Sequence, residues 1–215
     1  MGLVSPIRLS AQARSESGRD LMTSSAHADW TNSRRQRLAD LDAARGDANQ
    51  RSADVEQILW AITLRLAAEF QGYARDLHDL VADECVSSCN TVPGFETVLK
   101  LALTAKRDLD VVNAQHESVG NDFSRLGVPI WKALEAAKGA QAVHGWKNTL
   151  TTLNVARNAV AHGDPQKFAK LNSMNCPITE KQIGEWQKSL DELVDAMDEV
   201  VSNYLVGLLG INPPW

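Results

Sequence analysis

The chain has 215 residues, 44% of them hydrophobic, and a formal net charge of -5. That length allows one domain, or one domain with a tail, and the apolar content is enough for a sizeable core. The acidic balance excludes a broad electrostatic footprint for nucleic acid, which is usually basic, but not a local basic site. Three cysteines, few and odd in number, argue against a disulfide framework. No apolar run approaches the roughly 18 residues of a membrane span. The opening Met1-Gly2-Leu3-Val4-Ser5-Pro6 lacks the apolar core of a signal peptide and has Pro6 where a myristoylation site wants Ser or Thr. A cytoplasmic protein with no membrane partner is expected.

Residues 1–28, rich in Ser, Arg, Gly and Ala and without apolar period, read as a flexible arm. Residues 1–53 hold eight Arg, no Lys and six acidic residues, a net +2 against -7 for the remainder. Such a basic arm is first a solvated tail and second a surface for RNA, the body or a partner. Residues 29–52 suggest a weakly packed helix, with Leu38 and Leu41 as its clear apolar points and Gly46 a candidate break. The expected division is therefore a partly helical arm over 1–53 and a helical domain over 54–215.

Within 54–89, Val55, Ile58, Leu59, Ile62, Leu66, Phe70, Tyr73, Leu77 and Val81 repeat at helical spacing. Ser52 or Asp54 is placed to cap this helix. Trp60 and Leu64 fall off the stripe, which predicts burial on more than one side. Residues 95–114 predict a second helix, 115–129 a polar connection, and Ile130 to about Gly139 a short third helix. Ala142 to His162 reads as the next. Thr179 and Gln182 match a capping box, after which Ile183, Trp186, Leu190, Leu193, Met197, Val200 and Tyr204 step 3, 4, 3, 4, 3, 4. That seam suits packing along one neighbouring helix in a bundle or a dimer. No alternating strand pattern of useful length occurs, so the fold class is all-α.

The chemistry concentrates in Arg157-Asn158-Ala159-Val160-Ala161-His162, followed by Gly163-Asp164-Pro165. Gly163 suits the left-handed position that stops a helix, and Pro165 cannot continue one. With Arg157 at zero on the helical wheel, Asn154, Lys147, Asn158, Thr151 and His162 fall at roughly 60°, 80°, 100°, 120° and 140°. Trp146, Leu150, Leu153 and Val160 fall at roughly 340°, 20°, 320° and 300° and form the core face. Arg157 is therefore expected near the core side, where a buried charge needs a partner. Glu69 is the first candidate for that partner and Asp76 the second. Lys147 and Asn154, on the polar arc, are candidate substrate-binding residues.

Arg-Asn-x-x-Ala-His-Gly, late in a helix of a small all-α chain, resembles the Arg-x4-His signature of the HEPN superfamily, and most of all its RiboL-PSP-type and related stand-alone domains. The likeness in layout covers residues 54–206: a long first helix with the mid-helix Glu69-Phe70, a motif helix, and a long closing helix. The resemblance implies an up-and-down helical bundle and a cofactor-free, metal-independent endoribonuclease that works as a homodimer. It implies that Arg157 stabilises the pentavalent phosphate, that His162 is general acid or base, that Asn158 orients one of them, and that Glu69 holds Arg157. The products would be a 2′,3′-cyclic phosphate and a 5′-hydroxyl. A toxin or defence role, with an antitoxin or other regulatory protein as partner, follows by family analogy. The alternative is a non-catalytic dimerisation or nucleic-acid-binding module. One departure from the pattern is Asp164, which stands where some toxin members carry a modifiable Tyr.

Other constellations are weaker. His78, Cys85 and Cys89 share one helical face, but without a Cys-x2-Cys pair they read as buried free thiols rather than a zinc site. Trp131, Trp146 and Trp186 sit at apolar positions and read as core. Trp30 and Trp215 flank the domain, either packed on it or exposed for stacking on bases. The acidic residues crowding 191–199 read as a solvated face.

Overall fold

The computed structural model describes residues 23–47, 52–89, 92 and 94–215. The elements are α1 (Ser25–Asp29), a π-helical stretch (Trp30–Arg34), α2 (Arg35–Asp47), α3 (Ser52–Ser87), α4 (Phe95–Thr104), α5 (Asp108–Val111), α6 (His116–Arg125), α7 (Ile130–Lys138), α8 (Ala140–His162), α9 (Pro165–Ser173) and α10 (Glu180–Leu209). The fold is all-α, with no strand among the described residues. None of these helices is long and apolar enough to cross a membrane.

Helix α3 is the axis of the core, packing against α2, α8 and α10. Its stripe from Ile62 to Val81 is buried, and so are Thr63, Ala74, His78 and Ala82 on neighbouring faces. A helix surrounded on several sides cannot show a clean single-sided pattern, which accounts for Trp60 lying off the stripe. Trp60 meets Phe168 of α9, with ring centroids 5.5 Å apart. Along α10, every seam residue from Ile183 to Val200 is buried, and the neighbours are α3, α7 and α8 of the same chain. Thr179 caps α10 by accepting from the Gln182 N–H at 3.2 Å. The helix runs through Gly207 and ends at Gly210, whose φ of 66° is left-handed.

The segment expected as a weakly packed arm is instead part of the core. Residues 1–22 lie outside the description, but from Ser24 onward the chain is anchored. Trp30 is 1% exposed, not a free stacking surface. Its ring meets Phe70 and Tyr73 edge-on at 6.4 and 5.9 Å, and its Nε1 donates to Asp191 of α10 at 2.9 Å. Ser24 is hydrogen-bonded to the buried Asp198 carboxylate through both backbone and hydroxyl. Leu38 is buried as well. The expected boundary at residue 53 thus has packed core on its N-terminal side.

Two further expectations are corrected. The helix foreseen over 95–114 breaks at Lys106, which has a φ of 55°. There Arg107 turns inward to Asp79 and Asp110, and the Asp122 carboxylate accepts the N–H groups of Asp108 and Leu109, both at 2.9 Å. The polar connection foreseen over 115–129 contains α6, which buries Val119 and Phe123 and is closed by a capping box between Gln115 and Ser118. Helix α9 was not foreseen. It starts on Pro165 at its first position, with the Asp164 carboxylate accepting from Gln166 N–H at 2.9 Å.

The strongest polar tie in this core is Glu69. It is 3% exposed and accepts from Arg34 (2.8 Å), Arg37 (2.7 Å twice) and Arg65 (2.5 Å). Burial alone would raise its pKa. The hydrogen bonds from Arg37 and Arg34, with the charge of Arg65, outweigh that and hold it at about 2. Because the folded value lies below the ordinary one, the stability this carboxylate contributes is fully present above the ordinary 4.5 and is lost as pH falls toward 2. Glu69→Gln should lower unfolding free energy by about 3 kcal/mol at neutral pH, the linkage equivalent of holding this carboxyl at about 2 rather than 4.5. Urea unfolding of both proteins between neutral pH and pH 2 should show that gap closing on acidification.

Candidate functional site

Helix α8 carries the motif, and the faces foreseen for it are largely those observed. Trp146, Leu150, Leu153, Ala156 and Ala159 are buried, Arg157 and Asn158 are half-buried, and His162 is exposed in the last turn. Gly163 stops the helix at a φ of 58° and ψ of 35°. The Gly163 N–H donates to Val160 O and the Asp164 N–H to Ala159 O, so the turn itself satisfies those two carbonyls of the last helical turn. Asp164 then caps α9, a backbone duty quite different from that of a surface Tyr.

Glu69 does not hold Arg157. It is enclosed by Arg34, Arg37 and Arg65, and the second candidate, Asp76, pairs with Arg34. The physical reason is that Arg157 is only half-buried. Solvent screens its charge, so no carboxylate is required. Among the described residues, its one side-chain hydrogen bond runs from Nη1 to Asn158 Oδ1, at 3.0 Å. The same oxygen accepts from Asn113 Nδ2, also at 3.0 Å. Asn113 lies in the turn between α5 and α6 and carried no signal in the sequence. The nearest hint was Asn158 itself, an Asn inside a helix, where its propensity is poor unless the amide is used.

The two candidate substrate-binding residues separate. Asn154 is 6% exposed, and its amide is committed: Nδ2 donates to Ala114 O at 2.9 Å and to Leu150 O at 2.7 Å. It ties α8 to the chain entering α6 and has no free edge for a ligand. Lys147 stays half-buried at the surface, its ammonium 5.1 Å from the centroid of the Trp131 ring. Trp131 is held from behind by its Nε1 bond to His116 O, at 2.7 Å, and lies so close to Gly120 that an added Cβ there would come within 3.0 Å of the ring.

His78 is buried edge-on to Phe123, with Nδ1 3.5 Å from Arg107 Nη1, and the Cys89 thiol faces Cys85 O. Among the described residues, no three His, Cys, Asp or Glu side chains are grouped so as to hold a metal ion.

Asn154→Ala should cost about 1–3 kcal/mol, the usual penalty for leaving a buried carbonyl unpaired. It should also speed amide hydrogen exchange across residues 112–116, measurable by mass spectrometry, while the lone effect of a surface ligand contact would leave both unchanged. No protein-family model, curated protein or solved structure matches this chain.

Proposed function

We propose that this protein is a metal-independent endoribonuclease of the HEPN type, acting as a homodimer in which both copies of the α8 terminus line one cleft. The observation that carries the reading is a cation with no carboxylate partner among the described residues, one and a half turns before an exposed imidazole at an open helix end. A guanidinium neutralised by an acid would offer little to a phosphate; this one retains its charge and its remaining N–H donors.

In this mechanism the His162 imidazole takes the proton of a ribose 2′-hydroxyl. The freed oxygen attacks the adjacent phosphorus, and the 5′-oxygen leaves with a proton from the imidazole of the second copy. Products are a 2′,3′-cyclic phosphate and a 5′-hydroxyl. Arg157 lies against the charge that builds on the equatorial oxygens, where a fixed cation stabilises the transition state more than the ground state. Lys147 lies about 15 Å back along α8, a reach suited to a phosphate further along the strand than the adjacent one. An activity of this kind fits a toxin or defence effector restrained by an antitoxin or another regulatory protein.

The purified protein should cut single-stranded RNA in the presence of EDTA. Arg157→Ala should lower the rate about 10²–10³-fold, and His162→Ala about 10²–10⁴-fold. Gel analysis with end-group identification checks both, and light scattering checks the dimer. Undiminished cleavage by His162→Ala, or a monomer that cuts RNA, sinks the reading.

A further inference from the structure

The orientation of the Asn158 amide follows from its neighbours. An arginine side chain can only donate hydrogen bonds, so the Asn158 atom facing Arg157 Nη1 must be the oxygen. The Asn113 atom 3.0 Å from that same oxygen must then be a nitrogen. Two donors on separate elements, α8 and the α5–α6 turn, therefore converge on one acceptor. With the oxygen engaged inward, the Asn158 NH₂ forms the opposite edge of the amide. Among the described residues it donates no hydrogen bond, and it is not among the atoms sealed from solvent without a partner.

From this we infer that Asn113 is a positioning residue, locking Asn158 with its NH₂ outward so that Asn158 and Arg157 together present a donor-only edge to a phosphodiester. An amide turned over would offer its oxygen to the phosphate, where two acceptors repel, and set its NH₂ against the Arg157 donor. Asn113 adds a second donor to the bias that Arg157 alone imposes. It acts through Asn158 and touches no reacting atom. Its donation also stabilises the Arg157–Asn158 contact from outside the motif. The element carrying it is itself fixed nearby, since Asn154 grips Ala114 O one residue further on. The inference rests on the phosphodiester reading of this site and adds the residue that sets its polarity.

The test is titration of the ¹⁵N-labelled full chain with the thymidine dinucleotide dTdT, which has one phosphodiester and no 2′-hydroxyl to attack with. The Asn158 side-chain NH₂ signals, assigned by their loss in Asn158→Leu, should shift on binding. Asn113→Leu, neutral and nearly isosteric, should weaken dTdT binding about three- to tenfold, the equivalent of one lost hydrogen bond. Asn113→Asp, which puts an acceptor against the Asn158 oxygen, should weaken it further, with folding of each variant verified by circular dichroism. Wild-type protein that binds no dTdT, or Asn113 variants that are folded and bind it as wild type does, would overturn the inference. The two readings fail differently. If Asn113→Leu weakens dTdT binding but wild-type protein cuts no RNA, the positioning role stands and the ribonuclease does not. If RNA is cut in an Arg157- and His162-dependent way while both Asn113 variants behave as wild type, the ribonuclease stands and the positioning role falls.

Discussion

A single carboxylate, that of Glu69, decides where the positive charge of this molecule goes. It is 3% exposed, on a face of α3 packed into the core, and would be too costly there without cations. Three arginines answer it: Arg65 from one turn earlier on α3, and Arg34 and Arg37 from the N-terminal helix. The first consequence is architectural. A segment poor in apolar residues is drawn onto α3 by ion pairing, and Trp30 and Leu38 follow it into the core. The second reaches the candidate site. Since Glu69 is saturated by arginines from the other side of α3, it neutralises nothing on α8, and Arg157 keeps its charge at the surface.

The N-terminal segment is held at two places. Near Glu69 the contacts are ionic and are lost on acidification. Near α10 Arg35 pairs with Asp191, and Ser24 binds Asp198, whose pKa burial raises, the hydrogen bonds from Ser24 only partly countering it. Between them lies the π-helical stretch, where Thr31 and Asn32 side chains take up carbonyls of His27 and Ala28. Trp30 and Arg34, four residues apart at its two ends, both point inward, towards α10 and Glu69 respectively.

What was legible in the sequence was whatever buries apolar side chains at a regular period. The α10 seam, the α3 stripe, the α8 core face and the Gly163 stop all follow from spacing and backbone conformation. What was illegible depends on polar residues facing inward. Arg34 and Arg37 resemble solvent-facing charges on a wheel, so α2 looked loose. Ser118 and Asp122 are buried because they satisfy backbone N–H groups of neighbouring turns, so α6 looked like a loop. The partner of Arg157 was misassigned for a related reason. Periodicity tells which face a residue is on, but not which of several opposite charges lies across from it, nor whether solvent makes a partner unnecessary.

The division of labour along α8 follows from where its cover ends. Up to Asn154, the inward polar side chains have partners within the chain: Thr149 meets Ser189, Thr152 accepts from Trp186, and Asn154 is bound to Ala114. These groups are satisfied and therefore inert. The covering chain between α5 and α6 contributes its last contact through Asn113, to Asn158. Beyond that point α8 continues for one more turn, ending in an exposed imidazole, with the Ala159 and Val160 carbonyls closed by the Gly163–Asp164 turn. Among the described residues, no side chain donates to the carbonyls of that last turn. Arg157 and His162 are therefore not used there, and residues relieved of structural work at the edge of a packed core are the ones available to act on another molecule.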